Sequence, residues 1–200
     1  MKRSITVVKK ILEENENAAA ENRARADAAG VTVINLISSP GSGKTTLLEK
    51  TIPLLAGTGH PSAVIVGDLQ TTRDAERLDG TGAATVQVNT EGGCHLSATQ
   101  VAAAMARIDL AELSFLFIEN VGNMVCPSAF DLGEHRRVAM LSTPEGDDKV
   151  AKYDRLFLSA DLVLLSKVDL AGVLDYDRSR VCEDMSRINE KTRIIELSAA

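Results

Sequence analysis

Lys44 and Thr45 close a glycine-bearing turn, Ser38-Ser-Pro-Gly-Ser-Gly-Lys-Thr45. These residue types at this spacing suit a polyphosphate. Gly41 and Gly43 let the backbone curl so that successive N–H groups point at phosphate oxygens. The N-terminus of the helix that follows adds the positive end of its dipole. The Lys44 ammonium reaches the β- and γ-phosphates, and the Thr45 hydroxyl ligates Mg²⁺. The expected contacts are Pro40, Gly41, Ser42, Gly43, Lys44, Thr45 and Thr46. The turn departs from G-x-x-x-x-G-K-S/T at one place, where Ser38 stands for the first glycine.

Two further segments extend this chemistry. Phe115-Leu-Phe-Ile-Glu-Asn-Val-Gly122 is an apolar run ending in an acid, with glycine three residues on. Glu119 at that position can hold Mg²⁺, and the Gly122 N–H can meet a γ-phosphate. Asp68 ends another apolar run and is a second acid for the metal or the attacking water. Lys44, Asp68 and Glu119 are the expected catalytic groups; Thr45, Asp68 and Glu119 are the expected Mg²⁺ ligands. Ser166-Lys-Val-Asp169 resembles the guanine-reading N-K-x-D, with Ser166 for asparagine. A carboxylate such as Asp169 can accept two hydrogen bonds from guanine that adenine cannot supply, and the Lys167 stem can cover the base. Ser198 and Ala199 resemble the start of an S-A-K/R loop that also contacts guanine. The chain stops at Ala200, so that loop is expected to be incomplete.

Cys94 and His95 are adjacent, and Cys126 follows the acid-to-glycine segment by four residues. Two thiolates and an imidazole suit Ni²⁺ or Zn²⁺. Three ligands do not close a four-coordinate structural site, so water completes it or two chains share the metal. His60 and His135 read as surface or core histidines, and Cys182 as a core residue.

The elements that position these groups follow from hydrophobic patterning. Strands are expected at 31–37, 63–66, 85–88, 115–118, 138–141, 162–165 and 193–197. Helices fit 45–56, 72–79, 96–108, 148–159 and 178–191. Apolar strands alternating with helices define an α/β fold, a mostly parallel central sheet flanked by helices on both faces. Residues 4–29 read as a charged helix with a stripe of Ile5, Val8, Ile11 and Leu12. Residues 1–30 are thus expected to be a helical extension packed on a domain spanning 31–200. Twenty-two basic and 28 acidic residues give a net charge of −6. That argues against a nucleic-acid partner. No apolar run approaches the ~20 residues of a membrane span. The N-terminus lacks a long signal-peptide core, and three cysteines cannot close a disulfide framework, so a cytoplasmic location is expected.

Taken together, residues 35–48, 67–71, 93–96, 119–123, 125–127 and 145–149 resemble the HypB family, the nickel-insertion GTPases of nickel-iron hydrogenase maturation. The resemblance implies a slow GTPase switch cycling between GTP and GDP, with metal at Cys94, His95 and Cys126. It implies a homodimer when GTP is bound. It also implies two partners, a HypA-type nickel chaperone and the hydrogenase large subunit. Lys149 and Lys152 would approach the nucleotide of the second chain. The chain shows neither the Cys-rich N-terminal nickel site nor the His-rich tract of some members, which leaves the interface site. The related urease GTPase is an alternative, but it places Pro between Cys and His. A small-molecule P-loop kinase is a second alternative, which Ser166-Lys-Val-Asp169 disfavours. A metal-binding regulator without useful turnover is a third.

Overall fold

The structure, a computed structural model, describes residues 2–68, 73–90 and 92–198. Residues 69–72, Glu91 and Ala199 lie outside it, as do the side chains of Ile5, Val8 and Ile11.

Seven strands form one sheet: β1 (Thr32–Ser38), β2 (Ser62–Asp68), β3 (Ala84–Asn89), β4 (Phe115–Glu119), β5 (Arg136–Ser142), β6 (Leu162–Ser166) and β7 (Arg193–Leu197). All are parallel, in the order β3-β2-β4-β1-β5-β6-β7. Each expected strand is present. The helices are α1 (Lys2–Ala29), α2 (Lys44–Gly57), α3 (Arg73–Asp79), α4 (Ala98–Met105), α5 (Lys149–Lys152), α6 (Asp154–Ser159) and α7 (Arg178–Ile188).

The central strands are apolar on both faces because helices cover both. On one face Leu36, Val64, Val66, Phe117 and Met140 pack on Leu48 and Ile52 of α2 and Leu78 of α3. On the other, Val33, Ala63, Ile65, Leu116 and Ile118 meet Ala26 of α1 and Val101 and Met105 of α4. Farther along that face Ile37, Ala139, Leu141 and Val163 meet Leu156 and Phe157 of α6 and Val181 and Met185 of α7.

Three helices differ from expectation. The helix at 148–159 is two, broken at Tyr153 (φ −121°, ψ 42°). The Asp154 side chain takes the Arg155 N–H at 2.7 Å, a local bond that competes with helix continuation. The helix at 96–108 starts later, because Ser97 and Gln100 form a capping box at its start. The terminal helix docks through its alanine-rich half: Asn15, Ala19, Asn22 and Ala26 are buried, while Leu12 is exposed. Cys182 is half-buried rather than a core residue.

Gly133 shows how closely α1 lies on the domain. It holds φ +91°, and a Cβ there would sit 2.6 Å from the Ala19 carbonyl and from Asn22 Cβ. Gly133→Ala combines left-handed backbone with overpacking. It is expected to lower stability by about 2–4 kcal/mol, read as a fall in the chemical-denaturation midpoint.

Candidate functional site

Parallel pairing brings the last residues of β1, β2, β4 and β6 (Ser38, Asp68, Glu119 and Ser166) to one edge. A cavity of about 370 Å³ opens there, lined by Pro40, Gly41, Lys44, Thr45, Asp68, Glu119, Gly122 and Lys167, among others. Ligands of open parallel sheets bind in this position.

The glycine-rich turn leads into α2 through Gly43, at φ 99°. Lys44 is buried, and its Nζ donates to Ser38 Oγ at 2.9 Å. Ser38, the departure from the usual glycine, thus holds the lysine head. Burial pushes the Lys44 ammonium below its usual pKa, although Glu119, Asp74 and Glu145 favour its charge. Thr45 Oγ1 donates to Glu119 Oε1 at 2.7 Å. Burial pushes the Glu119 carboxyl up, against the pull of Lys44 and Thr45. Glu119 Oε2 is buried with no hydrogen-bond partner among the described residues. A hydroxyl beside a buried, under-bonded carboxylate is a donor set that fits a hard divalent cation such as Mg²⁺. Gly122 lies against the turn: a Cβ there would sit 2.9 Å from Pro40 Cα.

A second cavity of about 350 Å³ adjoins the first through Gly43, Thr46 and Lys167. Ser166, Asp169, Leu197 and Ser198 also line it. Ser166 Oγ donates to the Ser42 carbonyl at 2.7 Å, and Lys167 Nζ to that of Gly41 at 2.8 Å. Lys167 itself holds φ 58°. The Ser166 hydroxyl therefore ties the β6 loop to the phosphate turn. Asp169 is exposed, and Oδ1 accepts from Ser198 Oγ at 2.6 Å.

The third group lies beyond Glu119. Cys94 Sγ, a His95 ring nitrogen and Cys126 Sγ lie within 4.8 Å of one another. Cys94 Sγ and His95 Nδ1 are 3.6 Å apart. Donors bound to one metal at 2.0–2.3 Å stand roughly 3.5 Å apart, so the three need little movement to share an ion. Burial pushes the His95 imidazole pKa down, which favours the neutral, metal-binding form. The hydrogen bond with Cys126, followed by burial, pushes the Cys94 thiol up.

Several contributors were not singled out from the sequence. Glu145 Oε1 accepts from Ser42 Oγ at 2.7 Å and from Ser142 N at 2.9 Å, bracing the phosphate turn. Asp74 and Arg77 line the first cavity. Phe130 stacks on His95, with ring centroids 4.0 Å apart. Asn123 Nδ2 donates to the Cys94 carbonyl at 3.3 Å. Only Glu145 and Asn123 stand in segments with a readable pattern. Phe130 becomes visible only once β3 and β4 lie in one sheet. His60 is exposed against Phe115, and His135 accepts from Val33 N through Nδ1, so neither joins the triad. Lys149 and Lys152 pair with Asp148.

A parallel sheet with a glycine-rich turn between its central strand and a lysine-led helix defines a P-loop nucleotide-binding protein. A family model described as the CobW/HypB/UreG nucleotide-binding domain matches residues 32–196. The chain belongs to this family and, within it, to the hydrogenase maturation factors HypB. It is 52% identical over 197 residues to HypB of Azotobacter vinelandii, covering 98% of this chain and 65% of that protein. It is 48% identical over 198 residues to HypB of Escherichia coli K12, covering 99% and 68%. The chain thus spans about two thirds of the length of these relatives. The crystal structure of HypB from Helicobacter pylori in complex with nickel superposes with a TM-score of 0.88 at 42% identity, over 93% of this chain and 87% of that one. No helix among the described residues is long and apolar enough to cross a membrane.

The close approach of Gly122 to Pro40 gives a direct test of this geometry. Gly122→Ala is expected to cost about 1–3 kcal/mol of stability, measured by chemical denaturation. Gly172→Ala, whose Cβ would meet nothing within 4 Å, is expected to change nothing.

Proposed function

We propose that the chain is a GTP-hydrolysing switch that delivers nickel during hydrogenase maturation in the cytoplasm. One observation carries this reading. The segment 119–126 begins at Glu119, bonded to Thr45 in the first cavity, and ends at Cys126 in the metal triad. One short stretch of backbone belongs to both sites. Leu96, next to His95, donates its N–H to Asn120 Oδ1 at 3.4 Å, which ties the other ligand loop to the same segment.

In this reading the phosphate turn and Thr46 hold the polyphosphate, and Gly122 offers its N–H to the γ-phosphate. Ser166, Lys167, Asp169 and Ser198 face guanine; Ala199, which would join them, lies outside the described residues. Thr45 and Glu119, with Asp68 nearby, would hold Mg²⁺, which when bound neutralises charge on the β- and γ-phosphates. Lys44 neutralises and orients the same groups, and catalysis is mainly positioning. Asp68 and Glu119 are the acids placed to orient the attacking water. GTP orders 119–123; hydrolysis releases them and changes the grip of Cys94, His95 and Cys126 on nickel. The three-ligand set, open to Ni²⁺ or Zn²⁺, is completed by water or by a second chain in a GTP-bound homodimer. The partners are a HypA-type chaperone as nickel source and the hydrogenase large subunit as acceptor. The crystallised complex of Helicobacter pylori HypB with nickel supports nickel as the metal.

Two measurements test it. Nickel bound per chain is measured at equilibrium with a non-hydrolysable GTP analogue and with GDP. Wild type is expected to bind nickel with different affinity in the two states, and Cys94→Ala to lose the difference. Nucleotide-independent binding would exclude a switch. Asp169→Ala is expected to lower the preference for GTP over ATP by more than about tenfold, since one charged hydrogen bond contributes roughly 1.5–3 kcal/mol. An unchanged preference in competition binding would remove Asp169 from base recognition.

A further inference from the structure

Asn15 and Asn22 sit on one face of α1 with Ala19 and Ala26, and all four are buried. Each asparagine bridges the same two segments. Asn15 Oδ1 accepts from Ala98 N at 2.9 Å, and its Nδ2 donates to the Asp131 carbonyl at 2.8 Å. Asn22 Nδ2 donates to the Ala98 carbonyl at 2.8 Å and the Leu132 carbonyl at 3.0 Å. Arg23 adds an ion pair to Asp131 at 2.8 Å.

The bridged points flank the metal ligands. Ala98 follows His95 by three residues. Asp131 follows Phe130, whose ring stacks on His95, and one 3₁₀ turn (Pro127–Ala129) separates Phe130 from Cys126. The loop carrying Cys94 and His95 and the loop carrying Cys126 are thus pinned to one helix, just behind their ligands. A helix could dock by apolar contact alone. Two buried amides that reach the same pair of backbones do more, because each is satisfied only when both loops hold one separation. An unsatisfied buried amide costs roughly 1–3 kcal/mol.

We propose that Asn15 and Asn22 are positioning residues for the metal site, so that α1 sets the spacing of Cys94 and His95 from Cys126. This rests on the reading of that triad as a nickel site. Groups that orient metal ligands from behind typically alter metal affinity roughly 10- to 100-fold when removed.

The test compares wild type with Asn15→Ala, Asn22→Ala, the double variant and Glu21→Ala, an exposed position on the same helix. Three quantities are read: Ni²⁺ affinity, GDP affinity, and the rate at which diamide joins Cys94 to Cys126 in metal-free protein carrying Cys182→Ser. The double variant is expected to bind Ni²⁺ roughly tenfold or more weakly and to form the disulfide more slowly, with GDP affinity unchanged. Glu21→Ala should match wild type throughout. Asn22→Asp should behave like Asn22→Ala, because both partners are carbonyls and a carboxylate cannot donate. Asn15→Asp keeps the bond from Ala98 N and should recover part of the loss. It is also the mildest variant, and decides the matter if the double variant fails to fold. Unchanged nickel affinity and disulfide rate in the double variant would overturn the proposal and leave the metal site standing. An equal loss in Glu21→Ala would also overturn it. If wild type binds no nickel, the metal reading fails, and the disulfide rates alone decide whether α1 sets the thiol spacing.

Discussion

Parallel pairing is the constraint on which the rest of this molecule depends. Each crossover must return beneath the sheet, so every strand ends on the same edge. Seven strands therefore deliver Ser38, Asp68, Asn89, Glu119, Ser142, Ser166 and Leu197 to one side of the molecule. The strand order then decides which of them meet. β4 lies beside β1, so Glu119 reaches Thr45 at 2.7 Å although 74 residues separate them in the chain. β6 lies two places from β1, close enough for Ser166 to reach the Ser42 carbonyl. Cys94 arrives from the loop after β3, at the sheet's far edge. It meets Cys126 only because the segment after β4 runs across to it.

The same edge holds polar groups within the fold. Asn35 of β1 is fully buried between Val33 and Ile37, where an apolar residue would continue the layer. Its Nδ2 donates to Glu134 Oε1 at 3.2 Å, and its Oδ1 accepts from Asn120 Nδ2 at 3.2 Å. Asn120 Oδ1 in turn accepts from Val121 N at 3.0 Å and Leu96 N at 3.4 Å. Glu134 also accepts from Arg137 and from Leu132 N at 2.7 Å. A buried network satisfied this fully favours one arrangement over its neighbours, because each broken bond leaves a desolvated group. It joins the loops that carry Cys94, His95 and Cys126 to the central strand and to the segment that supports α1. An all-apolar layer would pack as well and specify less.

The fold was legible because a sheet buried on both faces writes itself as short apolar runs. The five inner strands lie where such runs stand, while the edge strands β3 and β7 are partly exposed and mix polar with apolar residues. The phosphate turn was legible because its glycines, lysine and threonine have a mechanical reason for their spacing. Cys94, His95 and Cys126 were legible as residue types, and their closeness followed from the parallel ends. Most of what the sequence did not reveal rests on long-range partners. Phe130 carries no motif, and its stacking on His95 depends on where β4 sends the chain. The docking face of α1 was hidden because alanine and asparagine at helical spacing read as a solvated surface. Of the expected stripe at Ile5, Val8, Ile11 and Leu12, only Leu12 is described, and it is exposed. The break at Tyr153 was hidden because Asp154 forms its bond to Arg155 N one residue away, below the resolution of a periodicity argument.

A switch that moves metal needs unequal nickel affinity in two nucleotide states, and thermodynamics makes that inequality reciprocal. Coupling of this kind amounts to roughly 1–3 kcal/mol, the scale of one or two buried hydrogen bonds. The segment 119–126 is suited to that scale. It is held at one end by Thr45 on Glu119, in the middle by the approach of Gly122 to Pro40, and near Cys94 by Asn123. Metal–ligand distances tolerate displacements of only about 0.2 Å, so a shift at Gly122 that reached Cys126 would be felt by a metal held there. Under the proposed function, nickel at the triad must strengthen the binding of whichever nucleotide strengthens nickel, by the same factor. If GTP is that nucleotide, a loaded protein would hold GTP until hydrolysis changed it, which makes release of the metal conditional on turnover and not on dilution alone.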